Sequence, residues 1–503
     1  MDCFNHLWRQ ALPAFSQQRV WERARVLGVS ALACLGRHTI TGMLTTSGQQ
    51  FVDWTAAYRL FARARFAEDA LFRPILRGVL SLLEASSPVV AMMDDTLLRK
   101  RGSKVTGAAW RRDPLGPKFH TNLTWSQRFL QVAAVVPEGE TPARARAIPL
   151  DLQHCPSAKK PGRRATPPQW DDYEQARCVL RLPVVGVQRL RALREALDNE
   201  PGGKERQLVM AVDGGYTNTT LLRDLPERTA LIGRVRKDAV LFSPPPPRAG
   251  RGRKPCYGRS LPTPEEMRQD AALPWQTVRA YAAGKTHDFE VKVADNVRWR
   301  GVGALNMRLV IVRPLAYRLT KNHRLLYRNP AYLLCTDPTL SLQQTVQYYL
   351  WRWEGEVAFR DEKTLLGMGE AQVRTAPTIA TTPIFIAGLY AYLHLAALQA
   401  KGTAALLPRP KWHPATPGDR ATTAQLLGQL RTELWGRALG GEFNRLHDMP
   451  RSRHEVGKIP RIISRKSVLS HRICDKIAKD ECSAGMRNPT LKGSKPLARG
   501  HRM

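Results

Sequence analysis

Two short runs, Val89–Met93 and Leu208–Val212, are apolar at every position, and each runs straight into aspartate. PVVAMMDD delivers Asp94 and Asp95; QLVMAVDGGY delivers Asp213 ahead of a Gly-Gly turn. Apolar runs this short, bounded by turn signals, read as strands buried in a sheet. RFLQVAAVVP, ARAIPLDLQ and PAYLLCTD add further candidates of the same kind, while DFEVKVADNVRWRG and MRLVIVRPLAYRL alternate as part-exposed strands do. Residues 171–199 read as mostly helical. Strands interleaved with helices predict an α/β fold, a mixed sheet flanked by helices. No self-similarity at a period of roughly 20–50 residues is present, which excludes solenoids and propellers.

A chain of 503 residues has room for several domains. Residues 1–88 read as short helices. Within them VDWTAAYRLFARARF sets Arg59, Arg63 and Arg65 close together, and GRHTITGMLTTSG has the breakers of a turn in a helical DNA-binding module; an ordinary amphipathic helix fits the same residues. Residues 89–229 and 341–400 carry the strand and helix candidates with acids, and 230–340 read as a mostly β insertion holding the Pro/Gly/Arg-rich SPPPPRAGRGRKPCYGR. The region 401–503 is basic, with 14 Lys/Arg against 4 Asp/Glu from Arg451 onward, a composition expected to be partly disordered and to adhere to phosphates.

The formal net charge is +35, an excess that repels itself in the compact state and calls for a polyanionic partner, nucleic acid above all. The eight cysteines are scattered without a C-x2-C pair, so neither a zinc ribbon nor a disulfide framework is expected, and a reducing compartment fits. MDCFNHLWRQ has no basic-then-apolar leader pattern. The apolar stretch Pro383–Ala400 is short for a span of about 20 residues and contains His394, so it is expected to be a buried core helix. The expected location is the cytoplasm, associated with the nucleoid, with no membrane partner.

The candidates for chemistry are the acids at strand ends and the helical stretch that opens near Ser341 and runs to about Gly367. Carboxylates brought together at neighbouring strand ends suit hard cations, and two such ions can drive phosphodiester cleavage. An aspartate after a strand can equally cap the next helix. At roughly 100° per residue, Arg352, Glu356 and Lys363 fall within about 60° of Tyr349, whereas Glu354, Asp361 and Glu362 fall more than about 100° away. Geometry therefore selects Glu356 as the acid sharing a face with Tyr349, Arg352 and Lys363. The bland alternative is a solvated face of i,i+4 ion pairs, Arg352–Glu356 and Glu356–Arg360.

Tyr349-x2-Arg352-x3-Glu356-x6-Lys363 resembles the Y-x2-R-x3-E-x6-K signature of bacterial DDE transposases of the insertion-sequence-four superfamily. YYLWRWEGEVAFRDEKTLLG resembles its surroundings too, departing at Gly355, where that family carries an aliphatic residue. AMMDDTLLRKRG and VMAVDGGYTNTTLL resemble its first and second catalytic blocks, in the right order, so the resemblance spans about Val89 to Gln399. It implies an RNase H-like domain in which Asp95, Asp213 and Glu356 form the DDE triad on two Mg2+ or Mn2+ ions, with Asp94 on the other face of its strand. It further implies that Tyr349, Arg352 and Lys363 contact the DNA backbone, and that the protein is a homodimer on double-stranded DNA, cutting at terminal inverted repeats and joining the freed 3′-OH to target DNA. Relatives that form hairpins stack a base on a tryptophan; Trp275 and Trp299 lie in the corresponding region, where a structural role is the simpler reading. Arg251-Gly252-Arg253-Lys254-Pro255 resembles a minor-groove hook, or a plain backbone-binding loop. Two other functions share these residues: an RNase H-like nuclease without strand transfer, and an inactive descendant that only binds DNA.

Overall fold

The computed structural model describes residues 1–113, 116, 120–139, 143–247, 254–317, 324–402, 407 and 420–438. Helices α1 (Asp2–Gln10), α2 (Gln18–Ala33), α3 (Ile40–Thr46), α4 (Thr55–Ala62) and α5 (Glu68–Leu80) come first. Strands β1 (Val89–Arg99), β2 (Ala109–Arg112), β3 (Leu123–Pro137) and β4 (Ala145–His154) follow, then helices α6 (Pro167–Val179) and α7 (Leu182–Asp198). Next are β5 (Leu208–Val212), α8 (Thr219–Arg223), β6 (Thr229–Arg234), β7 (Leu241–Phe242) and α9 (Pro264–Gln269). The chain continues through β8 (Gln276–Ala282), β9 (Lys285–Trp299), β10 (Met307–Val312), β11 (Ala316–Tyr317), β12 (Leu326–Tyr327) and β13 (Ala331–Cys335). Helices α10 (Leu342–Trp351), α11 (Trp353–Thr364), α12 (Ala376–Lys401) and α13 (Thr423–Ala438) close it.

Eleven strands form one mixed sheet in the order β2-β3-β1-β5-β6-β13-β10-β9-β7, with β4 beside β3 and β8 beside β9. β1, β3 and β4 are antiparallel neighbours, whereas β5 and β6 join β1 in parallel. The all-apolar sequences of β1 and β5 are explained by this place in the middle: Val89–Met93 and all of β5 are buried on both faces. The residues read as a mostly β insertion, 230–340, hold β7 to β13 and extend the same sheet, since β13 pairs with β6 and β10 with β13.

The expected boundary near residue 88 marks a change of secondary structure and not of packing. Met1–Arg431 is one compact unit, and α1, α2, α4 and α5 pack on α12. Trp8 stacks edge-on against Phe385 and Tyr392, and Gly28 and Gly78 let α2 and α5 approach Leu389 and Leu395. Helix α12 is apolar around its whole circumference and 94% of its most apolar window is buried, so it serves as the core helix expected there. The second unit, Thr432–Met503, is described only as far as Ala438; the basic tail lies outside the described residues.

Candidate active site

Between β1 and β5 the chain order reverses: from β1 it runs outward through β3 and β4, then returns to place β5 on the other side. Such a reversal, at the carboxyl ends of parallel strands, leaves a crevice where ligands bind in open α/β sheets. The parallel register ends at Met93↔Val212, so Asp94 and Asp213 are the next residues of the two strands at that end, with Asp94 on the Met92 face of the sheet.

Helices α10 and α11 cover that face. Ser341 starts α10 with a capping box closed by Gln344, and the helical path tightens at Arg352, where α10 ends and α11 begins. The expected continuous helix is thus two segments that meet at the arginine. α11 then lies against β1 at Gly355, whose Cβ position would fall 2.1 Å from the Met92 methyl. The departure from an aliphatic residue there has a packing cause, since Met92 of β1 fills the space.

Because side chains alternate along a strand, Met92 facing α11 puts Asp94 and Thr96 on the same side. The Arg352 guanidinium bridges two acids, reaching Asp94 Oδ2 at 2.7 Å and Glu356 Oε1 at 3.2 Å. Its carbon lies 6.0 Å from the centre of the Tyr349 ring. Lys363 donates to the Thr96 hydroxyl, one step further along the same face. Asp213 folds back into its own turn, accepting from the Gly215 amide at 2.8 Å. Its charge still acts on both Asp94 and Arg352.

Asp95 is elsewhere. It points to the opposite face, where it accepts from the Tyr216 hydroxyl at 2.9 Å and pairs with Arg128 at 3.2 Å. Family resemblance pairs Asp95 with Glu356; in the structure Asp94, not Asp95, shares Arg352 with Glu356, because β1 presents its even-numbered side chains to α11. Glu354, Asp361 and Glu362, set aside by helix geometry, also lie off the site, against Arg420, Thr423 and Gln131 respectively.

Burial is the main electrostatic influence on the cluster. It pushes the Asp94 carboxyl up to about 7, with the charge of Asp213 adding to the rise and Arg352 opposing it. Burial likewise raises the Tyr349 phenol, against the pull of Arg352 and Arg234, and lowers the Lys363 ammonium. Three carboxylates supply the all-oxygen donors that suit a hard divalent cation. Among the described residues, however, no three His, Cys, Asp or Glu side chains stand close enough to hold an ion as they are placed.

A cavity of about 1240 Å³ opens beside the Asp213 turn, lined by Gly214, Asn218, Arg234, Arg236, Lys237 and Trp299 among others. No motif in the sequence marks its basic wall, because Arg234 ends β6 and Arg236 and Lys237 simply follow it. Trp275 is held between Lys292 and Arg313, a structural setting. Lys254 is exposed, and Arg251 and Arg253 lie outside the described residues.

No curated protein matches the chain. Residues 10–300 match the DDE superfamily endonuclease family, a span that takes in α2 to α5, β1 and β5 with Asp94 and Asp213, and stops short of α11. That span covers more than half of the 503 residues, and the chain belongs to the DDE superfamily endonucleases.

Proposed function

We propose that the protein is a DNA transposase of the insertion-sequence type, in which Asp94, Asp213 and Glu356 are the acidic triad. The observation that carries this reading is the convergence of Asp94 and Glu356 on Arg352 beside Asp213, at the reversal point of the sheet. The strand order β4-β3-β1-β5-β6, with the first three antiparallel and the last three parallel, supports an RNase H-like core. A net charge of +35 supports a DNA substrate.

Asp94, Asp213 and Glu356 would hold Mg2+ or Mn2+, two ions by family resemblance; bound there, the metal supplies charge to the scissile phosphate and acidity to an attacking water. The chain's own groups do the positioning. Arg352 pairs with Asp94 and Glu356 in the free protein, and a guanidinium released from either acid is preorganised for a phosphate oxygen. Tyr349, held against Arg352 and near Arg234, offers its hydroxyl to the same backbone. Lys363, seated over Thr96, takes the next phosphate along β1. The 3′-OH freed by hydrolysis then attacks target DNA, with two protomers pairing two element ends.

The test uses purified protein, Mg2+ and a labelled duplex carrying the inverted repeats that flank its gene, with Glu356→Gln as control. Breaks at the repeat boundary that vanish in the variant, followed by joined strands, are the expected result. Breaks without joining would reduce the protein to a nuclease. Metal-independent binding with no breaks would leave a DNA-binding regulator.

A further inference from the structure

The face that carries Asp94 does not end at Lys363. Cross-strand partners share a face, and the antiparallel register pairs Asp94 with Gln131, Thr96 with Phe129 and Leu98 with Gln127. One step on, the Lys100 amide donates to the Trp125 carbonyl at 2.9 Å, and Trp125 is paired in turn with Trp110 of edge strand β2. Trp110 and Trp125 therefore sit on the side of the sheet that α11 covers. They lie six residues beyond Asp94 along β1, roughly 20 Å at the rise of a strand.

Their environment is not that of core tryptophans. Trp110 is 66% exposed, and its ring meets that of Trp125 at 5.7 Å between centroids. The Trp125 indole N–H donates to the Gly102 carbonyl at 2.9 Å, which fixes that ring as a base for the outer one. From Thr96 to Arg112 the chain has six Lys/Arg and no Asp/Glu. Arg101, Lys104 and Arg112 of this stretch are exposed. A solvent-facing aromatic ring braced by a hydrogen-bonded neighbour, within a field of cations, is the combination that binds an unpaired base, with the cations on the backbone and the ring on the π-face.

We propose that Trp110, backed by Trp125, is a stacking platform for a nucleobase of a DNA strand lifted out of the duplex about 20 Å from the acid cluster. The inference rests on the reading of the chain as a DNA-cutting enzyme. An intact duplex hides the faces of its bases, so the platform acts only on unpaired or unstacked nucleotides.

Affinities of the full chain are measured for a thymidine oligonucleotide and for a relaxed, covalently closed duplex circle without free ends. Trp110→Ala should weaken the oligonucleotide complex about tenfold and leave the circle within about twofold, while Trp110→Phe keeps most of the binding. Trp emission should be quenched by the oligonucleotide in the wild type and much less in Trp110→Ala. An unchanged oligonucleotide affinity, or equal losses on both probes, would overturn the platform while leaving cleavage of the inverted-repeat duplex intact. Loss of binding to both probes by the wild type would instead remove the DNA reading itself. Near-ultraviolet circular dichroism of Trp110→Ala verifies the fold, which an exposed side chain should not control.

Discussion

Asp94 and Asp95 are consecutive residues with opposite surroundings, and the difference sets different outcomes for the same substitution. Asp94 touches Arg352 and feels the charge of Asp213; Asp95 holds Tyr216 and Arg128 on the far face. Asp94→Asn should lower single-turnover cleavage by a factor on the order of 1000 or more, since triad members act as a unit. Asp95→Asn should stay within about tenfold of the wild-type rate and instead cost about 1–3 kcal/mol of stability through its charged hydrogen bonds. Rates and urea midpoints of the two variants decide the matter, and the reverse pattern would return Asp95 to the triad. Family resemblance named Asp95 for the triad and put Asp94 on the other face, whereas the fold sets Asp94 beside Arg352. Strand parity is set by whichever side chain meets the covering helix, here Met92 against Gly355, and that contact joins residues more than 260 positions apart.

Helix α11 shows what periodicity reveals and what it leaves out. Angles of about 100° per residue put Tyr349, Arg352, Glu356 and Lys363 on one arc; in the structure Arg352 lies beside Tyr349 and Glu356, and Lys363 reaches Thr96. They said nothing of the opposite side, where Glu362 is fully buried and accepts from the Gln131 amide at 2.8 Å. Burial pushes this carboxyl up to about 8, with Gln131 pulling it back. A raised acid contributes stability that is complete below its ordinary value of 4.5 and is lost as pH climbs through about 8. The wild type should therefore lose stability across that window relative to Glu362→Gln, by at most about 1.4 kcal/mol per pH unit, as read from urea midpoints at several pH values. Parallel curves for the two proteins would show that Glu362 is ionised throughout. The same helix depends on the fit of Gly355 to Met92. Met92→Ala should cost about 2–5 kcal/mol through the cavity it leaves. Adding Gly355→Ala should recover part of that, with a coupling of about 0.5–3 kcal/mol in a double-mutant cycle; strict additivity would mean that the two do not touch.

At the scale of the molecule, the polypeptide after α12 contributes in two ways. Residues from Arg420 onward return to the sheet and helices: Arg420 bonds Glu354 at 2.8 Å, Thr423 bonds Asp361 at 2.6 Å, and Arg146 donates to the Ala421 carbonyl at 2.8 Å. These contacts grip α11 on both sides of Glu356, and no pattern in the sequence announces them, since an Arg and a Thr in a polar stretch look like surface residues. The basic run from Arg451 was legible at once, because composition needs no fold to be read. Removing everything after Ala438 separates the two contributions. The compact unit Met1–Arg431 keeps its internal contacts in such a truncation, so its urea midpoint should be unchanged. The 14 Lys/Arg from Arg451 onward are lost, and each that neutralises a phosphate contributes about 0.9 to the dependence of log affinity on log salt. The truncated protein should bind non-specific duplex more weakly at low salt, with a visibly shallower salt slope, and converge on the full chain as salt rises. An identical slope would mean that the tail cations do not reach the backbone, and would leave the charge of the sheet face and the Asp213 cavity as the source of affinity.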